Sequence, residues 1–443
     1  MRFWKPLLVV FIFTAAGLGA QERQVPDAVL KEWEQTLDFG IDTQIIEVVK
    51  KIREAKETSL NGKLLQALAH SVNTNLRKEI LEYFADTKYR PAEDAAYAIL
   101  TNYENEDSDL LRSLVRYLAE IHSKKSIDLI LSLVDSDDGV LAYSAIAAIG
   151  RMGDTSQAAL LLKKLRDPEM RPDRKPTIIT ALGDMRAAEA VPELVRIVQS
   201  REEERVWRMY ACEALGKIGD PSVLPVIKKV MAEQDPLLKA YAAQAIAKFD
   251  LGQVIDVLIE CLKDSYWKVR VAGCQGLARP GAGKAVDILK YKVENDPEMP
   301  VRNEAIQALA AIGDAKALTF LRGILVDKGK SSQLREFTFN TLMDKNLTAE
   351  TVAAVERLVK QEWSSRDRLL ETIARKLIYT DSGLLKRIYV LFLDHPNFVI
   401  RISGIRGVAR NRFTDLRPKL QDMEKKDRLE QVRNEAKAAL EKF

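Results

Sequence analysis

Only three histidines stand in the 443 residues, His70, His122 and His395, and no two of them are near in sequence. None is followed by Glu. A histidine-held metal centre and a histidine-assisted nucleophile both lack their usual parts. Cysteine is as scarce: Cys212, Cys261 and Cys274 are all there are, and their spacing matches no zinc motif. No phosphate-binding glycine loop is present; Gly281-Ala282-Gly283 reads as a turn. Carboxylates abound, but at helix-surface spacing, which gives no paired acid and base. No metal, no cofactor and no catalytic residue is expected.

Long hydrophobic runs are also missing after the first twenty residues, which excludes a multi-spanning membrane protein. Aromatics make up 7% of the chain against 47% apolar residues, so the core must be built mostly from Ala, Leu, Ile and Val. Neither sign of charge dominates: 68 Lys and Arg face 64 Asp and Glu, for a net charge of +4. That balance argues against nucleic acid as the main partner, since grip on a duplex needs several phosphate contacts. The distribution is uneven. Residues 21–110 hold 11 basic against 18 acidic residues, and residues 360–420 hold 13 against 6. Ends of opposite sign can orient a partner.

What is present begins with a targeting pattern. Arg2 and Lys5 form a basic region, residues 6–16 are apolar, and residues 17–20 offer small side chains for cleavage before Gln21. Leu18 suits the −3 position poorly. A buried first helix or an uncleaved anchor are the alternatives, but the apolar run falls short of the roughly 20 residues of a spanning helix. No Cys follows it to accept a lipid. The expectation is an exported chain, periplasmic or secreted, with no stable membrane span after processing.

The rest of the chain repeats. Ile149, Leu182, Leu215, Ile246, Leu277 and Leu309 form a column at intervals of about 31 to 33 residues, the size of one helix pair. Seven residues before them lie Lys175, Arg208, Lys239, Arg270 and Arg302. The same offset recurs in Arg77/Phe84, Arg335/Leu342, Arg401/Val408 and Arg433/Leu440. After the column comes a turn, read best in residues 215–221. There Gly216 and Gly219 are expected to take the left-handed conformation that closes a helix. Asp220 can cap the next helix, with Pro221 at its first position. Asp167, Asp235, Asp264 and Asp296 stand before second helices as further caps.

Helix pairs of this length, with V-R near the start of the second helix and A-L-G-x-I-G-D at its end, resemble HEAT repeats. The subtype is that of bilin lyases and many bacterial proteins. The strong match covers residues 140–325. The resemblance implies an all-α, right-handed α-solenoid of about twelve helix pairs, its second helices lining the concave face. It divides the chain into a signal peptide (1–20), an N-terminal helical cap (21–59), divergent repeats (60–139), clear repeats (140–325), and divergent repeats with a C-terminal cap (326–443). It also implies a structural ladder of Asp and Arg or Lys along the inner turns, here Arg208, Lys239, Arg270 and Arg302 with Asp264 and Asp296, the spacing of six residues suggesting the pairs Asp264/Arg270, Asp296/Arg302 and Asp427/Arg433. HEAT-like metal hydroxylases hold iron with His-Glu dyads, and this chain has none.

In this frame Cys212 and Cys274 lie two repeats apart. At roughly 9 Å per packed layer they are out of disulfide reach. Cys261 and Cys274 fall on paired helices, so a bond between them stays open beside the reading of buried small hydrophobes. Trp207 and Trp267 stand near the starts of second helices as exposed aromatics. They either seal the stack or mark contacts on the inner surface. Arg401, Arg406, Arg410, Arg412 and Arg417 cluster near the end, with Arg406 and Arg410 on one helix face. They form either a solvated or ladder-forming face or a site for an acidic protein. The function expected is a non-catalytic scaffold for a protein partner. The alternatives are a bilin-lyase-like enzyme or a polyanion-binding protein.

Overall fold

The fold is that of a computed structural model, which describes residues 25–152, 155–365 and 367–443. The signal segment lies outside the described residues. Among those residues there are twenty-six α-helices, short 3-10 turns and no strand. The helices form thirteen pairs, one more than the twelve or so expected. The first pair, Asp27–Phe39 and Asp42–Ala55, occupies the stretch expected to cap the N-terminus. Chain contacts divide the structure into two compact units, one up to Ala181 and one from Leu182.

Within each unit the second helices stack on one another. In the first, Asp42–Ala55, Thr74–Thr87, Ser108–Glu120 and Gly139–Met152 follow in order. In the second, the stack runs from Arg205–Ile218 through Pro236–Ile246, Trp267–Leu277, Met299–Ile312, Ser332–Lys345, Leu369–Leu377 and Phe398–Arg410 to Glu430–Leu440. The column is their shared core: Phe84, Leu182, Leu215, Ile246, Leu277, Leu309, Leu342 and Val408 are all 0% exposed. Each such side chain stabilises the fold by about 1.5–3 kcal/mol relative to exposure.

One rule ends most of the second helices, Asp250 (φ −57°) and Asn346 (φ −140°) being exceptions. The residue four beyond the column takes positive φ: Gly219 (77°), Gly281 (90°), Gly313 (69°), and also Lys56, Lys88, His122, Arg186 and Arg412, at 50–54°. In the last five, the next N–H bonds back to the column carbonyl, as in Tyr89 to Phe84 at 3.0 Å and Ser123 to Leu118 at 2.9 Å. This closes the orphan carbonyls of the helix end. Gly216 does not share that role. It lies inside the helix, where an added Cβ would stand 2.7 Å from Ala245 Cα and 2.9 Å from its Cβ. Gly183 meets Ala214 and Gly150 meets Ala181 in the same way. The A-L-G run therefore encodes contact between successive second helices: Gly one past the column touches Ala one before the next.

Asp220 and Asp235 cap as their positions require, whereas Asp167, Asp264 and Asp296 accept from the N–H two residues on (Glu169, Tyr266 and Glu298), ahead of the helix, and so turn the chain into it rather than cap it. Asp220 accepts from Ser222 N–H at 2.9 Å, and Asp235 from Leu237 and Leu238 N–H at 2.9 and 3.1 Å.

Candidate partner-binding surface

Two surfaces carry the chemistry: the edge made by the turns between first and second helices, and the outer face of the second helices. The turn edge holds the basic column. Six of its cations reach a carboxylate of the following repeat: Arg77 to Glu106 (3.3 Å), Arg208 to Glu233 (2.6 Å), Lys239 to Asp264 (2.5 Å), Arg270 to Asp296 (2.7 Å), Arg335 to Glu362 (2.9 Å) and Arg401 to Asp427 (2.9 Å); Arg302 and Arg433 meet main-chain oxygens instead. The residue six before the cation, in its own repeat, supplies only a main-chain oxygen. Arg270 Nη1 donates to the Asp264 and Ser265 carbonyls at 3.0 Å, and Arg302 Nε to the Asp296 carbonyl at 2.6 Å. Sequence spacing brought Asp264/Arg270 and Asp296/Arg302 together as pairs. In three dimensions the Asp296 carboxylate belongs to Arg270, and Arg302 meets the Asp296 backbone.

The Arg270–Asp296 rung is the most enclosed, with Arg270 6% and Asp296 1% exposed. Burial alone would raise the Asp296 pKa. Hydrogen bonds from Arg270, from Glu298 N–H and from Lys292 outweigh it and hold the carboxyl below its ordinary value.

The C-terminal arginines are already engaged. Arg406 makes a two-pronged pair with Glu435 (2.9 and 2.7 Å), and Arg410 one with Asp381 (2.5 and 2.8 Å). Arg401 is the ladder rung described above. Arg412 stands apart from the shared face, because it is the left-handed residue that ends Phe398–Arg410.

Trp207 and Trp267 are half-buried, not exposed. A ring in the first turn of a packed helix loses surface to its neighbours. For Trp267 these include Tyr266, at 6.4 Å between ring centres, and the Lys268 ammonium, 5.6 Å above the ring. Close by is a strip that sequence reading missed. Val206, Tyr210, Glu213 and Lys217 fall on one face of Arg205–Ile218, at nine, five and two before and two after the column. Val206 is 41% exposed. Tyr210 meets Tyr241 of the next second helix edge-on, 6.2 Å between ring centres, both at five before the column. Burial, then Tyr210 and Glu213, push the Tyr241 hydroxyl pKa up. Lys217 bridges Glu213 and Asp184, each at 2.8 Å. The signal was available: an aromatic at the same offset in two successive repeats.

The corresponding face of the first unit is richer in charge, although Ser113 and the exposed Val140 also fall on it. Arg53 meets Asp86 at 2.6 Å, and Arg116 meets Asp86 at 2.6 Å and also Glu82. Lys78 meets Asp109 at 3.1 Å. Of these, Lys78, Glu82, Asp109 and Arg116 line an open hollow of about 300 Å³.

The three histidines lie apart, each against a main-chain oxygen: His70 at Gln66 (2.8 Å), His122 at Met152 (3.2 Å) and His395 at Trp363 (3.1 Å). Among the described residues no group of three or more His, Cys, Asp or Glu could hold a metal ion. No helix among them is long and apolar enough to cross a membrane. All three cysteines are free and buried.

Comparison with known proteins adds the family. A family described as "Spirochaete HEAT repeat protein" matches residues 37–439. Among curated proteins, deoxyhypusine hydroxylase of Homo sapiens is 44% identical over 52 residues, 12% of this chain and 17% of that protein. The enzyme of Rattus norvegicus is 32% identical over 99 residues, 22% of this chain and 32% of that one. The chain thus spans less than a third of the length of these curated relatives. Among solved structures, Kap95p with RanGDP covers 93% of this chain and 66% of its own, at 15% identity and a TM-score of 0.47. Kap121p bound to the extreme C-terminus of Cdc14p covers 94% and 53%, at 12% identity and 0.40.

Proposed function

The chain belongs to the spirochaete HEAT repeat proteins, and on that premise we propose that it is a non-catalytic scaffold, exported from the cytoplasm, which holds a protein partner on the face of its second helices. The observation that carries the reading is the strip around Tyr210 and Tyr241. Half-buried aromatics in edge contact, beside exposed Val206 and the Glu213–Lys217 pair, combine rigid apolar area with flanking charge. That composition suits protein recognition, in which aromatic anchors supply most of the binding energy. Trp207 and Trp267, at the helix starts beside it, extend the surface. Arg406 and Arg410 are held by carboxylates, so they set charge and orientation rather than offering bare cations. The isolation of the histidines and the openness of the hollows favour binding over catalysis.

The test is crosslinking of the full chain in native envelope, then calorimetry with the purified candidate. Tyr210→Ala with Tyr241→Ala should weaken binding at least about tenfold, an anchor-sized effect. Arg406→Glu with Arg410→Glu should change its salt dependence. A partner whose affinity ignores the tyrosine pair would place the site elsewhere. N-terminal sequencing of exported chain should read from Gln21; a chain retained whole in the cytoplasm refutes export.

A further inference from the structure

One offset on the second helices carries the same chemistry four times running. Two before the column stand Gln244, Gln275, Gln307 and Asn340, in Pro236–Ile246, Trp267–Leu277, Met299–Ile312 and Ser332–Lys345. Gln and Asn together are 28 of the 443 residues, so composition alone does not give four in succession. These helices pack one on the next. Their register shows in the close approaches. As Gly216 meets Ala245, so a Cβ on Gly276, one before its column, would stand 2.9 Å from the Cβ of Ala247, one past the preceding column. The four amides therefore form a row along the stack. Gln244 and Gln275 are exposed and Gln307 and Asn340 half-buried. Among the described residues none of the four side chains hydrogen-bonds to another group of the chain.

A second lane runs beside the first. Five before the column stand Tyr241, Ala272, Glu304 and Phe337. The two offsets adjoin across repeats, as the contacts of Ser113 with Glu82 (3.2 Å) and Arg406 with Glu435 (2.9 Å) show. Tyr241, Glu304 and Phe337 are half-buried, while Ala272 is buried and adds no bulk to the surface. The Glu304 carboxylate has neither an ion pair nor a hydrogen bond among the described residues. In order the lane reads aromatic, small, acidic, aromatic.

A carboxamide offers a carbonyl and an NH2 group, the complement of the N–H and C=O of a peptide bond. An extended chain has those groups free, because a polyproline-II backbone makes no internal hydrogen bonds. The spacing agrees. Stacked helices stand roughly 8–10 Å apart, and three residues of such a chain advance about 9 Å. Every third residue therefore presents the same side to successive repeats. We propose that the two lanes bind an extended peptide segment of about ten residues, its main chain hydrogen-bonded by the four amides, with a basic side chain at Glu304 and apolar ones at Tyr241 and Phe337. Two repeats separate Glu304 from Tyr241 and one separates it from Phe337, so the basic residue stands about six from one apolar residue and about three from the other. This names the partner's chemistry on the face already assigned to recognition, and so rests on the scaffold reading.

The experiment pans a phage-displayed library of random fifteen-residue peptides on the full chain and titrates the selected peptides by calorimetry. They should share the apolar, basic, apolar pattern in one chain direction. Gln275→Ala with Gln307→Ala should weaken them at least about tenfold and leave the thermal melt in place. Gln421→Ala with Gln431→Ala, exposed in the last two helices, should change nothing. Glu304→Arg should cost as much as the local amide pair, and a peptide with Glu in place of its basic residue should recover the loss. The proposal is overturned if no peptide is selected, if binding ignores the amide pair, or if charge reversal finds no rescue. The crosslinked native partner separates it from the scaffold reading. A partner sensitive to Tyr210→Ala with Tyr241→Ala but not to Gln275→Ala with Gln307→Ala leaves the scaffold in place and removes the extended peptide. A partner that ignores both pairs removes both.

Discussion

Replacing Arg270 by Ala separates a structural ladder from a ligand-binding stripe. The side chain makes two hydrogen bonds to Asp296, at 2.8 and 2.7 Å, and two to the Asp264 and Ser265 carbonyls, both at 3.0 Å. Without it Asp296 stays buried, with Lys292 at 3.3 Å and Glu298 N–H at 3.1 Å as remaining partners. Stranding one member of a buried ion pair costs about 3–5 kcal/mol, and Lys292 places the expectation near the lower end, at about 3 kcal/mol. Arg410→Ala is the internal control. Its pair with Asp381 leaves the carboxylate largely in solvent, and such pairs contribute about 0–1 kcal/mol. The assay is urea unfolding followed by helical circular dichroism. With slopes of about 1–3 kcal/mol/M, Arg270→Ala should lower the midpoint by about 1 M or more, several times the shift of the control. The double variant Arg270→Ala with Asp296→Ala should be more stable than Arg270→Ala alone, because the stranded carboxylate is gone. A midpoint shift no larger than that of Arg410→Ala would refute the ladder as a stabilising device.

The glycines offer a test of opposite signs. Gly216→Ala drives a methyl to within 2.7 Å of Ala245 Cα, and overpacking of about 1–3 kcal/mol should exceed the roughly 1 kcal/mol gain in helix propensity. Gly323→Ala, in a helix with nothing within 4 Å of its added Cβ, should stabilise by about 0.5–1 kcal/mol; calorimetric melting compares the two. Burial, aided by Arg401 and opposed by hydrogen bonds at Trp363 and Asn397, holds the His395 pKa below its ordinary 6.5. The unfolded chain then takes the proton first. The contribution is present above pH 6.5 and is lost as pH falls from there toward the folded pKa. Urea midpoints of His395→Gln should fall less between pH 7 and pH 5 than those of the wild type. Burial pushes the Cys212 and Cys261 thiols up to about 12, and the Cys274 thiol higher still. A thiol reagent at pH 8 should therefore titrate no cysteine until urea unfolds the chain.

The fold was legible because one period ran through the chain. Column, basic site and closing turn each need a particular residue type, and Leu215, Arg208 and Gly219 declare themselves. What stayed hidden required knowing which residue of the next repeat comes near. Gly216 read as a helix terminator because glycine serves both tight turns and close approach, and sequence does not separate the two. Asp296 read as the partner of Arg302, six residues away, when the rung links it to Arg270. Lys56, Lys88, His122, Arg186 and Arg412 close helices with positive φ but without glycine, so no residue type marks those turns in the sequence. The candidate site was less legible. Arg406 and Arg410 were recognised as sharing a face, but Glu435 and Asp381, each 29 residues off, neutralise them.

The frame decides where specificity can reside. Positions seven and one before the column, the column itself, and one and four after it are taken by rung, Ala contact, core, Gly contact and helix closure. Nine, five and two before, and two after, remain for recognition, and these differ between repeats. They are Val206, Tyr210, Glu213 and Lys217 in Arg205–Ile218, but Asp109, Ser113, Arg116 and Glu120 in Ser108–Glu120. A solenoid assembled this way keeps nearest-neighbour stability in one set of positions and surface chemistry in another. Grafting the second set onto the first, as Val206→Asp, Tyr210→Ser, Glu213→Arg and Lys217→Glu together, should leave helical content intact. The expected stability cost is about 1–2 kcal/mol, mainly the lost Tyr210–Tyr241 contact. Partner binding should be abolished. If the graft unfolds the chain instead, the recognition positions are also structural, and the division of labour between frame and face does not hold.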